Sequence, residues 1–177
     1  MEGSTAVDDL ATWLEEAYSQ SVRTAYLILG NRLDAEDAVQ EAFLRAWKFR
    51  NALAKESSFK PWLYRVVVNS CNSKLRREIP HRDRRSDEAD LASDEASGGV
   101  ERLELSHDVA SALRDLPDHL RVVIVLRYYA DLSERDIALA IGRKPGTVKS
   151  RLNEARRRLA EHPALRNSDP SNEEITG

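Results

Sequence analysis

The spacing of apolar residues is helical along almost the whole chain, and the strict alternation of a half-buried strand is absent. Glycines and prolines punctuate the periodic segments instead of marking hairpins. A first helix is predicted from Val7 to Leu29, stopped at Gly30-Asn31. A second starts at Asp34, a good N-cap with Asp37 three residues on, and runs to Phe49. It buries Ala38, Val39, Ala42, Phe43 and Ala46, and turns Asp37, Gln40, Glu41, Leu44 and Lys48 outward. A third runs from Phe59 to Arg77, with Pro61 accepted in its first turn. Its buried stripe is Phe59, Leu63, Val66 and Val67; Trp62 and Tyr64 are assigned to the core. Arg65, Asn69, Asn72 and Arg76 recur on the opposite side. Asparagine is a poor residue for a solvated helix interior, so this ridge points to a reading surface. The plain alternative is an exposed face without a task.

The stretch "IPHRDRRSDEADLASDEASGGV" has few large apolar residues, a glycine pair and dense charge. Such a segment buries too little surface to offset its ordering entropy. The expected architecture is therefore all-α, with two small helical domains over residues 5–79 and 101–162. A flexible acidic linker, 80–100, joins them, and a disordered tail, 163–177, follows, with no further C-terminal regulatory domain. In the second domain the helices break at Pro117, with Asp118 predicted to cap the next one.

The segment "DLSERDIALAIGRKPGTVKSRLNEARRRL" carries the sharpest local pattern. Ser133 and Asp136 make a capping-box-like start, and a short helix runs to Ala140. Gly142 supplies a left-handed turn, and Pro145 opens a longer basic helix. This is a helix-turn-helix pattern. At 100° per residue, Val148, Leu152, Ala155 and Leu159 form the docking stripe. Gly146, Ser150, Asn153, Glu154 and Arg157 lie opposite, with Thr147 at the border. Lys149 and Arg156 flank one side of that crest, Arg151 and Arg158 the other. A polar crest between cations suits a helix in a major groove, crest to base edges and flanks to phosphates. By chemistry, Arg157 matches guanine, Asn153 adenine and Glu154 the amino group of cytosine.

Charge sharpens this picture. The chain of 177 residues is acidic as a whole, with a formal charge of -3, yet the charge is sorted. Phe59 to Arg85 carries eight cations against two acids; Ser86 to Asp108 carries eight acids against one cation. Arg143 to Arg158 carries seven cations against one acid. Two basic blocks around an acidic stretch suggest two nucleic-acid contacts on a solvated link, the alternative being two solvated basic faces.

Other chemistries find little support. No apolar run is long enough to span a bilayer, so direct membrane insertion is not expected. The N-terminus lacks a signal pattern, and cytoplasm is the natural compartment. The single thiol, Cys71, excludes an internal disulfide and is read as structural. Four scattered histidines lack ligand spacing, so neither a metal nor a cofactor is expected. There is no phosphate loop or nucleophile elbow, no case for an enzyme and no small-molecule substrate.

Three segments, in this order, resemble the bacterial RNA polymerase sigma factors of the sigma-70 family, specifically the extracytoplasmic-function group. "DAEDAVQEAFLRAWKF" resembles the polymerase-clamp segment and "FKPWLYRVVVNSCNSKLRR" the -10 segment. The stretch from "LPDHLRVVIVLRYY" to "RRRL" resembles the -35 domain. The resemblance implies a region 2-like and a region 4-like domain in a dissociable initiation subunit. Asp37, Gln40, Glu41, Leu44 and Lys48 would then dock on core RNA polymerase. Arg65, Asn69, Asn72, Arg76 and Arg77 would engage the -10 region of promoter DNA as it melts. Arg143, Lys144, Thr147, Lys149, Ser150, Arg151, Asn153, Glu154, Arg156 and Arg157 would read the -35 duplex. Family habit adds an anti-sigma factor as partner. Two departures stand out: Leu53, Ala54 and Lys55 occupy the base-capture loop, and Glu154 replaces a frequent basic residue. The competing readings are a stand-alone helix-turn-helix regulator and a polymerase-binding adaptor.

Overall fold

The computed structural model describes residues 2–49, 59–78 and 106–166, and every regular element among them is helical. In order these are α1 (Glu2–Leu29), α2 (Arg32–Lys48), α3 (Phe59–Glu78) and α4 (His107–Asp115). Then come α5 (Asp118–Tyr128), α6 (Glu134–Ile141), α7 (Pro145–Glu161) and the short α8 (Pro163–Arg166). The all-α class is as expected. The base-capture loop, 51–58, and the proposed linker, 80–100, lie outside the described residues, as do 101–105 and 167–177.

Gly30 ends α1 at φ 75°, and Asn31, extended at φ -130°, restarts the chain. Asn31 Oδ1 accepts from the Asp34 backbone N–H at 3.0 Å. The cap of α2 is therefore Asn31, not Asp34 as expected: one left-handed glycine completes the reversal, so the helix begins earlier and Asp34 falls in its first turn.

Alanines set the packing of the first three helices. Ala35, Ala38, Ala42 and Ala46 of α2 are fully buried beside Val39, opposite Val22, Ala25 and Ile28 of α1 and Leu63 and Val67 of α3. Phe43, assigned to that stripe, is only half-buried and meets Tyr18 edge-on, with ring centroids 5.3 Å apart. Trp62 is also half-buried, stacked on Phe59 at 5.8 Å.

α3 buries a second stripe, in which Tyr64 and Cys71, read as core and as a structural thiol, are joined by Val68 and Leu75, which the sequence reading missed. The helix lies against α1 and α2 and also against α6, so it serves both sets of helices. Buried residues from α1 to α7 form one contiguous apolar cluster. Across the same junction Gln20 Nε2 donates to the Tyr129 carbonyl at 2.8 Å. Burying each valine- or leucine-sized side chain contributes about 1.5–3 kcal/mol, so this junction is a substantial contact.

In the second set, Ser106 caps α4 by accepting the Val109 N–H. At the next corner Pro117 is the cap residue and makes no side-chain bond. Asp118, expected to cap, is the first helical residue and pairs instead with the buried Arg121, which also donates to the Arg114 carbonyl at 3.0 Å. α5 is buried continuously from Leu120 to Leu126 and forms the centre of this unit. Arg127 ties its end to the next turn through the Leu132 carbonyl at 2.9 Å. Pro163–Arg166, expected to be disordered tail, is helical and packs on α4 and α7, with His162 Nε2 2.9 Å from Asp115 Oδ2.

Candidate nucleic-acid interface

The helix-turn-helix is built as its sequence demands. Ser133 Oγ accepts the Asp136 N–H at 3.1 Å and donates to Asp136 Oδ2 at 2.6 Å. α6 ends at Gly142, left-handed at φ 63°, whose N–H bonds the Leu139 carbonyl at 3.3 Å. The following N–H, of Arg143, reaches the Ala138 carbonyl at 2.9 Å, closing the helix end. Pro145 is then the first residue of α7.

Burial of Val148, Leu152 and Ala155 seats α7 on α5 and α6 and turns the opposite face outward. Arg143, Lys144, Gly146, Lys149, Ser150, Asn153, Arg156 and Arg157 are exposed; Thr147, Arg151 and Glu154 are half-exposed. All of the residues expected to read the -35 element thus share α7 or the turn before it.

Their partners divide that face. Arg143, Lys144, Lys149 and Arg151 have no carboxylate partner among the described residues. Burial, then the like charge of Arg143, pulls the Arg151 guanidinium below its ordinary range. Further along, Arg157 Nη2 and Arg158 Nε lie 2.8 and 2.7 Å from Glu154 Oε1. Hydrogen bonds from Arg157 and Arg158 pull the Glu154 carboxyl down to about 2. Arg156 donates to the Tyr128 hydroxyl at 2.8 Å and to Asn153 Oδ1 at 3.1 Å. Tyr128, exposed at the end of α5, is a participant the sequence reading missed.

On α3, Arg65, Asn69 and Arg76 are exposed and Asn72 is half-exposed, on the side away from both buried stripes. Arg77 belongs to the last turns of this helix. The ridge is open to solvent although α3 is packed on three neighbours.

The outer face of α2 carries Asp37, Gln40, Glu41, Leu44 and Lys48, all exposed. Its acids are partly engaged: Asp37 Oδ2 lies 3.3 Å from Lys74 Nζ, and Glu41 accepts from Ser70 Oγ at 3.1 Å and from Arg45. Leu44 is not isolated. Leu33, Leu44 and Trp47 are 74%, 72% and 47% exposed, and Phe49, 53% exposed, follows at the helix end. At 100° per residue the first three fall within one stripe. That repeat, opposite the alanines, was the signal that could have found them. An apolar strip of this kind rimmed by charge marks a protein-contact surface. Among the described residues no His/Cys/Asp/Glu group could hold a metal, and no helix is long and apolar enough to cross a membrane.

Residues 13–79 match the family model Sigma-70 region 2, and residues 106–159 match Sigma-70, region 4. The chain is 35% identical over 148 residues to the ECF RNA polymerase sigma factor SigW of Bacillus subtilis, covering 76% of this chain and 78% of the relative. It is 35% identical to the ECF RNA polymerase sigma-E factor of Escherichia coli, covering 70% of each. Among solved structures it resembles the sigma factor RpoE of Bartonella quintana, in complex with the anti-sigma factor NepR, with TM-score 0.70 and 29% identity. That match covers 90% of this chain and 98% of the other. The two matched regions, in the order and spacing of the helices described above, place the chain in the sigma-70 family, among its extracytoplasmic-function sigma factors.

Proposed function

We propose that this chain is the promoter-recognition subunit of a bacterial RNA polymerase, with catalysis left to the core enzyme. The outer face of α2 docks on the core, with Leu44 and its apolar neighbours at the centre and Asp37, Gln40, Glu41 and Lys48 at the rim. The ridge of Arg65, Asn69, Asn72 and Arg76, with Arg77 beyond it, holds the -10 region, where melting needs unstacked bases to be captured near cations. α7 enters the major groove of the -35 duplex.

The observation that carries this reading is the outward face of α7. Arg143, Lys144, Lys149 and Arg151, without a carboxylate partner among the described residues, meet phosphates, while Thr147, Ser150 and Asn153 face base edges. Acidic charge elsewhere on the chain discourages indiscriminate DNA binding. Control by an anti-sigma factor follows from the match to RpoE, which is described with NepR bound. The site of action is wherever the polymerase works, the cytoplasm.

Run-off transcription from a pool of random promoter sequences, with purified core polymerase plus or minus this chain, tests the reading. Specific transcripts sharing two upstream elements are the expected result. Sequence-specific duplex binding without polymerase, and no association with the enzyme, would instead mark an operator-binding regulator.

A further inference from the structure

The cations of α7 fall into two groups. Those at its start, Arg143, Lys144, Lys149 and Arg151, have no carboxylate partner among the described residues, whereas the next three are each held by a neighbour. Arg157 is gripped from two sides: Glu154 Oε2 accepts its Nε at 3.1 Å, and Glu161 Oε2 lies 2.9 Å from its Nη1. Arg158 Nε takes the Glu154 Oε1 position at 2.7 Å, and Arg156 is bound to Tyr128 and Asn153. Glu154 is the hinge of this arrangement, since its carboxylate serves both Arg157 and Arg158.

We propose that Glu154 sets the specificity of the reading helix by withholding Arg157 and Arg158 from DNA phosphates. Resting on the -35 reading of α7, the proposal changes the role of this residue: it governs two arginines instead of accepting a hydrogen bond from cytosine. To place either arginine on a phosphate, its bond to Glu154 must break or the carboxylate must travel with it, and in both cases the carboxylate ends beside the DNA backbone. On sequence-matched DNA, base contacts from Thr147, Ser150 and Asn153 offset that cost. On unmatched DNA the protein has only phosphate contacts to gain, so the penalty falls where binding is unwanted. Hydrogen bonds that it donates to Glu154 and Glu161 hold the Arg157 guanidinium above its ordinary range, in keeping with a firmly engaged cation.

The test is a salt titration of the full chain on a scrambled duplex by fluorescence anisotropy, for wild type, Glu154→Gln and Glu15→Gln. The last removes the same charge from an exposed position on α1. Glu154→Gln should bind several-fold tighter at low salt and steepen the slope of log K against log salt by roughly one to two, at about 0.9 per added phosphate contact. Glu15→Gln should leave the slope as it is. In the Glu154→Gln background, replacing Arg157 and Arg158 by glutamine should erase the gain. An unchanged slope for Glu154→Gln, or a gain that survives loss of both arginines, would overturn the proposal. So would an effect confined to duplexes differing at one base pair, which would return Glu154 to base reading. Failure of run-off transcription would remove the promoter function but leave the slope result standing.

Discussion

Lys74 of α3 reaches across to α2, its ammonium 3.1 Å from Asp34 Oδ1 and 3.3 Å from Asp37 Oδ2. Burial draws its pKa down, but the two carboxylates outweigh this and hold it above the ordinary lysine range. A raised lysine pKa stabilises the fold below the unfolded-state value, and that contribution is lost as pH climbs through the folded-state value. Lys74→Met should therefore cost about 1 kcal/mol at neutral pH, as a partly exposed pair does, and the difference should vanish in strongly alkaline buffer. Paired chemical denaturation of the two proteins across pH measures both.

Gly142 and Gly146 differ in conformation, although a Cβ on either meets nothing within 4 Å. Gly142 is left-handed and Gly146 is in the first turn of α7. Gly142→Ala should lower stability by about 1–2 kcal/mol from backbone strain alone. Gly146→Ala should leave stability unchanged or raise it by up to about 1 kcal/mol. Thermal melts of both variants decide it; equal losses would mean that space, not φ, is limiting.

Leu44→Arg separates folding from docking. The side chain is 72% exposed, so the melting curve should shift by no more than about 0.5 kcal/mol. If the α2 face is the polymerase contact, core binding should weaken by about 2 kcal/mol or more, as for a central anchor residue. Binding of labelled protein to core polymerase measures this, and full affinity in a folded variant would move the contact elsewhere.

Cys71 should be inert in the native protein. Burial pushes its thiol up to about 12, against a smaller opposing influence from Lys74. Alkylation at pH 8 should be at least tenfold slower than in denaturant, where the thiol ionises near its ordinary value of about 8.5. A raised thiol pKa also means that stability declines as pH rises from about 8.5 towards 12. Rapid labelling of folded protein would show a junction that opens readily.

Asn153→Ala and Lys149→Ala should differ in kind. The first should relax preference at one base pair by about 1–3 kcal/mol, and the second should weaken matched and scrambled promoters alike. Holoenzyme binding to a set of single-base promoter variants compares them.

The helix-turn-helix was legible because its signals are local: Ser133 caps, Gly142 turns, Pro145 starts, and the stripe of Val148, Leu152 and Ala155 repeats at helical spacing. The α2 face was half legible, since Leu44 and its charged neighbours follow from periodicity while Leu33 and Trp47 need the whole helix projected. Asp34 and Asp118 misled because cap propensity alone does not place the first helical residue, which the preceding turns put at Arg32 and at Asp118 itself. The second stripe of α3 was hidden for a different reason. Val68 and Leu75 lie on a helix that also packs on α1 and α6, which are not its neighbours in sequence, and periodicity on one helix cannot announce a second partner. The ion pairs of Glu154 lie at helical spacing and could have been anticipated from sequence.

The three-residue turn Gly142–Lys144 also fixes the rotational phase of α7. Each residue of a helix advances its face by about 100°. One residue added at the start of α7 would turn the docking stripe and the crest together by that angle, taking the first off the core and the second away from the groove. New promoter preferences are therefore open to this protein through exchange of side chains along α7, and closed to it through insertion or deletion in the turn.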